Sequence, residues 1–249
     1  TCRAGLRGCT APEFADSTIY GFRSPDVAPG LWGGFATHLF LAPEAMVLPI
    51  SSDLSVGEAS LFNVMSNGVD WVMELGQVRA GMSVAILGPG PRGLASLIAA
   101  KAAGAGPIAI TGLASDAERL AMARELGADV ALDVSGVDPG DVVATVVGAL
   151  GEAPELVVDT TPKSVDAVVD AVGMVARRGT IVLAGLKGPG RAAPIPVDVV
   201  AGKQVTIVYT VPARDDTPDD GDPQAPPLLG SLLEWGPIIS GSLAAGSAS

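Results

Sequence analysis

Three glycines, Gly88, Gly90 and Gly93, stand in G-x-G-x-x-G spacing within SVAILGPGPRGLASLIAAKAAG (83–104). An apolar run stops at the first glycine, and a small, alanine-rich run follows the last. Between a strand and a helix, this spacing points to one chemistry, the holding of a dinucleotide's diphosphate. Gly88 permits a sharp turn out of the strand. Gly90, lacking a Cβ, lets a pyrophosphate approach the backbone, and Gly93 lets the helix pack close to the strand. The helix mouth, including Leu94 in its first turn, then offers free N–H groups and a positive dipole end. Pro91 suits a first helical turn, where its absent donor costs nothing. Arg92 is placed to reach a phosphate or to stay in solvent. The plainer alternative is a tight turn without a ligand.

A carboxylate about 20 residues further on would bind a ribose 2′-hydroxyl. That count reaches the strand end Thr111-Gly112 in ITGLASDAER, where no carboxylate stands. Asp116 comes late and reads as a first-turn helix residue. Arg119 is a helical turn inside. The chain thus lacks both the acid that repels a 2′-phosphate and a strand-end arginine that would pair with one, so the cofactor reads as NAD or NADP. Two further strand ends should face the same crevice. VVDTTP presents Asp159 and Thr160, and LAGLKG presents Ala184, Gly185 and Leu186, whose backbone could fix a carboxamide.

These residues need a scaffold that brings strand ends together. Six apolar runs supply it: 83–88, 107–112, 129–134, 155–160, 180–185 and 205–210. Helix-period runs at 92–103, 115–126, 138–149 and 163–176 separate the first five. Strands alternating with helices imply βαβ units and a parallel sheet. The runs are nearly continuous in Val and Ile, as strands covered on both faces require. The expected fold is α/β, a doubly wound parallel (Rossmann) sheet of strand order 3-2-1-4-5-6. Ser55 with Glu58 has capping-box spacing and opens a helix before the first strand.

Composition sets outer bounds. Of 249 residues, 48 % are apolar but only 4 % aromatic, so a core is available and must be mainly aliphatic. The formal charge of −12 opposes nucleic acid as a general partner. Two cysteines make no disulfide scaffold and point to the cytoplasm. Gly and Pro break every apolar window well short of the roughly 18 residues a membrane span needs. Residues 1–53 read as irregular and β-like, 54–210 as the nucleotide-binding domain, and 211–249 as a poorly ordered tail opening on an Asp/Pro linker. The first residue is Thr, as expected of a processed chain or a piece of a longer one.

From Cys2 to Tyr209 the chain resembles the zinc-containing medium-chain alcohol dehydrogenase/reductase family. CRAGLRGC is similar to half of that family's structural-zinc lobe, and GGFATHLFLAPEAMVLPIS to the segment closing its catalytic domain. VRAGMSVAILGPGPRGLASLIAAKAAGA, RLAMARELGADVALD and RRGTIVLAGL resemble its cofactor domain. The resemblance implies a Rossmann domain joined to a partial, mostly β remnant of a catalytic domain. It implies hydride transfer between NAD(P) and an alcohol or carbonyl substrate, with a catalytic zinc as Lewis acid. The family's third catalytic zinc ligand falls at Asn63, an amide that suits zinc poorly. Cys2 and Cys9 match two of the four structural-zinc cysteines, an incomplete set. His38 is the one histidine, so no three-ligand cluster can be drawn from this chain. Zinc is expected only with residues preceding Thr1. The family's sixth strand commonly pairs across a two-fold axis, which implies a homo-oligomer through the edge VTIVYT (205–210). Two alternatives stand beside the alcohol dehydrogenase reading. One is a catalytically inactive nucleotide-binding or dimerising fragment, the other a zinc-free enoyl or quinone reductase. After Thr210 the chain departs from the family pattern, and the tail is expected to be out of register with it.

Overall fold

The computed structural model describes Tyr20, residues 23–43, Ala45, Val47, 49–188 and 190–210. Cys2, Cys9 and the 211–249 tail lie outside the described residues. The chain divides into two compact units, one holding the described residues up to Ser51 and the other Ser52–Thr210.

In the first unit Trp32 is the centre of packing. Its ring lies 5.9 Å from that of Tyr20 and edge-on to Phe40 at 5.2 Å, and the Arg23 guanidinium sits 4.4 Å from its centroid. The indole N–H donates to the Val27 carbonyl at 2.8 Å, and the Ala42 N–H donates to the Tyr20 hydroxyl at 2.8 Å. No strand forms among the described residues of this segment, and much of the 1–53 stretch expected to be mostly β lies outside them. Pro25, Pro29, Pro43 and Pro49 remove the donors a ladder would need.

The second unit opens as its capping box requires. The Glu58 N–H donates to Ser55 Oγ at 3.2 Å, and the Ser55 N–H donates to Glu58 Oε2 at 2.8 Å. Hydrogen bonds to the Glu58 carboxylate from the Ser55 side chain and then the Ser55 N–H hold that carboxyl below its usual range. Helix α1 (Val56–Ser60) and helix α2 (Phe62–Val69) follow, and α2 widens into a π-helical stretch, Asp70–Leu75. The alternating elements come next: β1 (Val84–Leu87), α3 (Pro91–Ala102), β2 (Ile108–Gly112), α4 (Ala117–Glu125), β3 (Val130–Asp133), α5 (Val142–Leu150), β4 (Leu156–Asp159), α6 (Asp166–Met174), β5 (Thr180–Leu183), α7 (Val197–Lys203) and β6 (Thr206–Tyr209).

The six strands form one sheet of order β3-β2-β1-β4-β5-β6, every neighbouring pair parallel. This is the expected doubly wound order, and it places the ends of β1 and β4 side by side where the winding reverses. Alternation along each strand divides the core. Val84, Ile86, Ile108, Ile110, Leu156 and Val158 face α3, α4 and the π-helical stretch. Ala85, Leu87, Ala109, Val157, Ile181 and Leu183 face α5 and α6. All four residues of β1 and of β4 are buried, as strands covered on both faces must be.

Helix α7 is the element that periodicity did not reveal. It is seven residues long and largely exposed, and its VDVV start reads as strand. A tertiary contact secures it. The Lys203 ammonium donates to the carbonyls of Val172, Gly173 and Val175 at 3.1, 2.6 and 2.9 Å, closing the C-terminal end of α6. Desolvation there lowers the lysine's pKa.

Candidate functional site

The glycine elbow joins β1 to α3. Gly88 turns with φ +98°, in the left-handed region, and its N–H donates to the Thr111 carbonyl at 3.0 Å. A Cβ on Gly93 would fall on the Gly88 carbonyl oxygen, so only glycine lets α3 start this close to the strand. Gly90 is the helix N-cap, and Pro91 opens the first turn. The Leu94 N–H makes the first helical bond, to the Gly90 carbonyl at 2.9 Å. The Arg92 and Gly93 amides precede it and have no intrahelical acceptor. A Cβ on Gly90 would meet nothing within 4 Å. One face of the elbow is thus filled by protein, and the other, at Gly90, is open.

The open face looks onto a cleft of about 310 Å³. Gly90 to Gly93 form one wall, Thr160 and Pro162 line it beyond β4, and Ala184, Gly185 and Leu186 line it beyond β5. Trp71, on the π-helical stretch and 5 % exposed, lines it from α2's side. Close packing sets that wall: a Cβ on Gly68 would lie 2.6 Å from the Ala95 backbone, so α2 rests directly on α3.

Several predicted residues thus converge: Gly90, Pro91, Arg92, Gly93, Thr160, Ala184, Gly185 and Leu186 share the cleft. Others have different places. Thr111 is buried in β2 and, with Gly112, lies at that strand's end beside the elbow. Leu94 is partly buried and packs on the core. Asn63 is exposed in the first turn of α2 and does not line the cleft. Asp116 acts as a first-turn residue. Its Oδ2 accepts from the Leu113 N–H at 3.2 Å, and its Oδ1 pairs with the Arg119 guanidinium at 2.9 Å.

Asp159 does not present its carboxylate to the cleft. The side chain is wholly buried; its Oδ1 accepts from the Thr161 N–H at 2.9 Å and hydroxyl at 2.6 Å, and its Oδ2 lies 2.6 Å from Lys187 Nζ. Thr160 turns its hydroxyl to the elbow, donating to the Leu87 and Gly88 carbonyls at 2.9 and 3.1 Å. Sequence reasoning missed Trp71, Pro162, Thr161 and Lys187. A lysine two residues past a glycine turn and a tryptophan in a helix carry no local signal of such placement.

Among the described residues no group of three His, Cys, Asp or Glu could hold a metal ion. His38 is exposed and shares a hydrogen bond with the Thr37 hydroxyl at 3.0 Å. This donor set does not fit a catalytic zinc. The elbow and its open cleft do fit a dinucleotide's diphosphate.

The family model for zinc-binding dehydrogenases matches residues 91–219, just over half of the chain. This chain belongs to that family. It is 43 % identical over 210 residues to a probable alcohol dehydrogenase of Mycobacterium tuberculosis, an overlap of 83 % of this chain and 56 % of the relative. It is 35 % identical over 148 residues to sorbitol dehydrogenase of Bos taurus, covering 59 % of this chain and 40 % of that enzyme. The chain therefore spans about half the length of the curated relatives it matches. A short chain alcohol dehydrogenase from E. coli CFT073, solved with NADH, shares the fold at a TM-score of 0.62 and 19 % identity, over 78 % of this chain and 51 % of that one. The matched residues begin at Pro91, the first residue of α3, and take in strands β2 to β6. No helix among its described residues is long and apolar enough to cross a membrane.

Proposed function

We propose that this chain is the dinucleotide-binding part of an NAD(P)-dependent oxidoreductase that transfers hydride between the cofactor and a small alcohol or carbonyl compound. The observation that carries the reading is the elbow: amides of Arg92 and Gly93 at the mouth of a twelve-residue helix, beside a Gly90 whose Cβ position is empty and faces the cleft. Helix mouths of this kind favour anions through unpaired N–H groups and the dipole. The diphosphate would lie across Gly90, with Arg92 at its side. The adenosine half would run toward the end of β2 and the nicotinamide half toward the ends of β4 and β5, since the two mononucleotide halves of a doubly wound sheet meet at the switch point. Backbone groups at Ala184, Gly185 and Leu186 would orient the carboxamide, and Trp71 would exclude water from one wall. The cofactor supplies the hydride when bound. The family relationship supports the alcohol or carbonyl substrate class.

The absence of a three-ligand group among the described residues favours one second reading, a chain that binds cofactor without turning over substrate. Cytoplasmic location and a homo-oligomer through the β6 edge are part of the same proposal. The edge residue Tyr209 is 65 % exposed, and β6 has a neighbour on one side only within the sheet.

Titration of the purified chain with NADH and NADPH, followed by the cofactor's fluorescence, tests the reading. Saturable binding of at least one is expected. Binding of neither overturns it. Alcohol-dependent reduction of the bound cofactor then separates an active enzyme from a binding fragment.

A further inference from the structure

Asp159 is the one charged side chain among the described residues that is fully buried. Burying a carboxylate with a lysine costs more than burying two apolar groups of similar size, unless the pair is well tied in. Here it is tied in, and to a particular place. Lys187 Nζ sits 2.6 Å from Asp159 Oδ2 and also donates to the Thr161 carbonyl at 2.6 Å and the Thr161 hydroxyl at 3.0 Å. Among the described residues no other donor serves that carboxylate oxygen.

The pair joins the end of β4 to the far side of the turn after β5, beyond the residues the sheet ladder holds. Asp159 ends β4. Lys187 stands in the turn after β5, one residue beyond Leu186. The sheet holds that turn at its start, where the Ala184 and Gly185 amides donate to the Asp159 carbonyl at 2.9 and 2.8 Å, and one backbone bond follows, from the Lys163 N–H to the Leu186 carbonyl at 3.1 Å. A Cβ on Gly185 would meet the Thr161 backbone, so the turn runs directly over Thr161. Leu186 itself is 74 % exposed and has little packing to hold it. The lysine supplies the side-chain anchor on the far side, tying the turn to the buried end of β4.

We propose that Lys187 is a positioning residue. Its buried pair with Asp159 is a latch that holds the turn 184–188 in the shape that receives the nicotinamide half of the dinucleotide. This inference rests on the dinucleotide reading above. With the latch intact, Ala184, Gly185 and Leu186 present fixed backbone groups to the cleft. Without it the turn samples other conformations, and only the fraction of molecules in the receiving shape binds that half of the ligand.

The test uses the full 249-residue chain with two ligands, the reduced dinucleotide that the unaltered chain binds and the matching ADP-ribose, which lacks nicotinamide. In Lys187→Met, affinity for the dinucleotide is expected to fall about tenfold or more as the competent population shrinks. ADP-ribose affinity should change by less than about twofold, since its contacts lie at the elbow and β2. Lys187→Met leaves a lone buried carboxylate and will also lower stability. The double variant Lys187→Met/Asp159→Asn removes both charges, and the amide oxygen of the substituted side chain can still accept from Thr161. It should recover most of the thermal stability while keeping the selective loss of dinucleotide binding, a separation that a purely structural role would not produce. Equal weakening of both ligands, or unchanged dinucleotide affinity in the double variant, overturns the latch. Failure of the unaltered chain to bind either ligand overturns the dinucleotide reading and the latch with it.

Discussion

Gly90 and Gly93 are three residues apart in one motif, yet the structure gives them opposite sensitivities. An added Cβ at Gly90 meets nothing within 4 Å, and the backbone there is extended, φ −65° and ψ 174°, open to any L residue. Gly90→Ala should therefore fold. Its cost is that of alanine as an N-cap, about 0.5–1 kcal/mol. For a unit of this size that lowers Tm by about 1–4 °C. The new methyl nonetheless occupies the space a diphosphate needs, and dinucleotide affinity should fall at least about tenfold, or about 1.4 kcal/mol. Gly93→Ala is the converse. Its Cβ falls on the Gly88 carbonyl, and overpacking between a helix start and a strand should cost about 3 kcal/mol. Thermal melts paired with fluorescence titration of NADH or NADPH read both quantities on the same samples. Undiminished binding in a well-folded Gly90→Ala variant would refute the placement of the diphosphate, whatever the Gly93 variant did.

The adenosine end gives a second expectation. A Cβ on Gly112 would lie 2.7 Å from Pro89 Cγ, so Gly112→Asp alone should lower Tm. Pro89→Gly with Gly112→Asp should restore it and raise the NADH-to-NADPH affinity ratio about tenfold or more by introducing a 2′-phosphate-repelling carboxylate; competitive titration checks this. Half-burial, with Asp166 nearby, pushes Asp170 up to about 6. Its protonated form is favoured in the folded state, so the folded protein gives up stability as pH rises from about 4 through about 6. Converted directly, that shift is a loss of about 3 kcal/mol, and solvent screening of a half-exposed group leaves about 1 kcal/mol. Asp170→Asn should accordingly be stabilising at pH 7.5 and neutral near pH 4 in urea denaturation. Lys203→Met removes three bonds to the end of α6 and should destabilise by about 2 kcal/mol in the same assay.

The sheet was legible because its signals are local and repeated. Each buried strand is an apolar run, each crossover a helical period, and the elbow's three glycines carry their reasons in their spacing. The capping box at Ser55 and Glu58 was legible for the same cause. Helix α7 was not, since seven residues contain too few turns for a period, and what holds it is Lys203 reaching α6 from about thirty residues away. Asp159 does stand at a strand end, as its place in VVDTTP suggested, but its side chain turns inward to Lys187.

What the amino-acid order determined alone was the α/β alternation and the position of the elbow, both patterns within about twenty residues, and the doubly wound strand order followed from the fold class these imply. Which side chains meet at the cleft was decided only in three dimensions. Trp71 reaches it because Gly68 lets α2 rest on Ala95, and Lys187 is withdrawn from solvent because β4 and β5 bring Asp159 beneath it. Periodicity reports which face of an element is buried; it does not report what that face will find there.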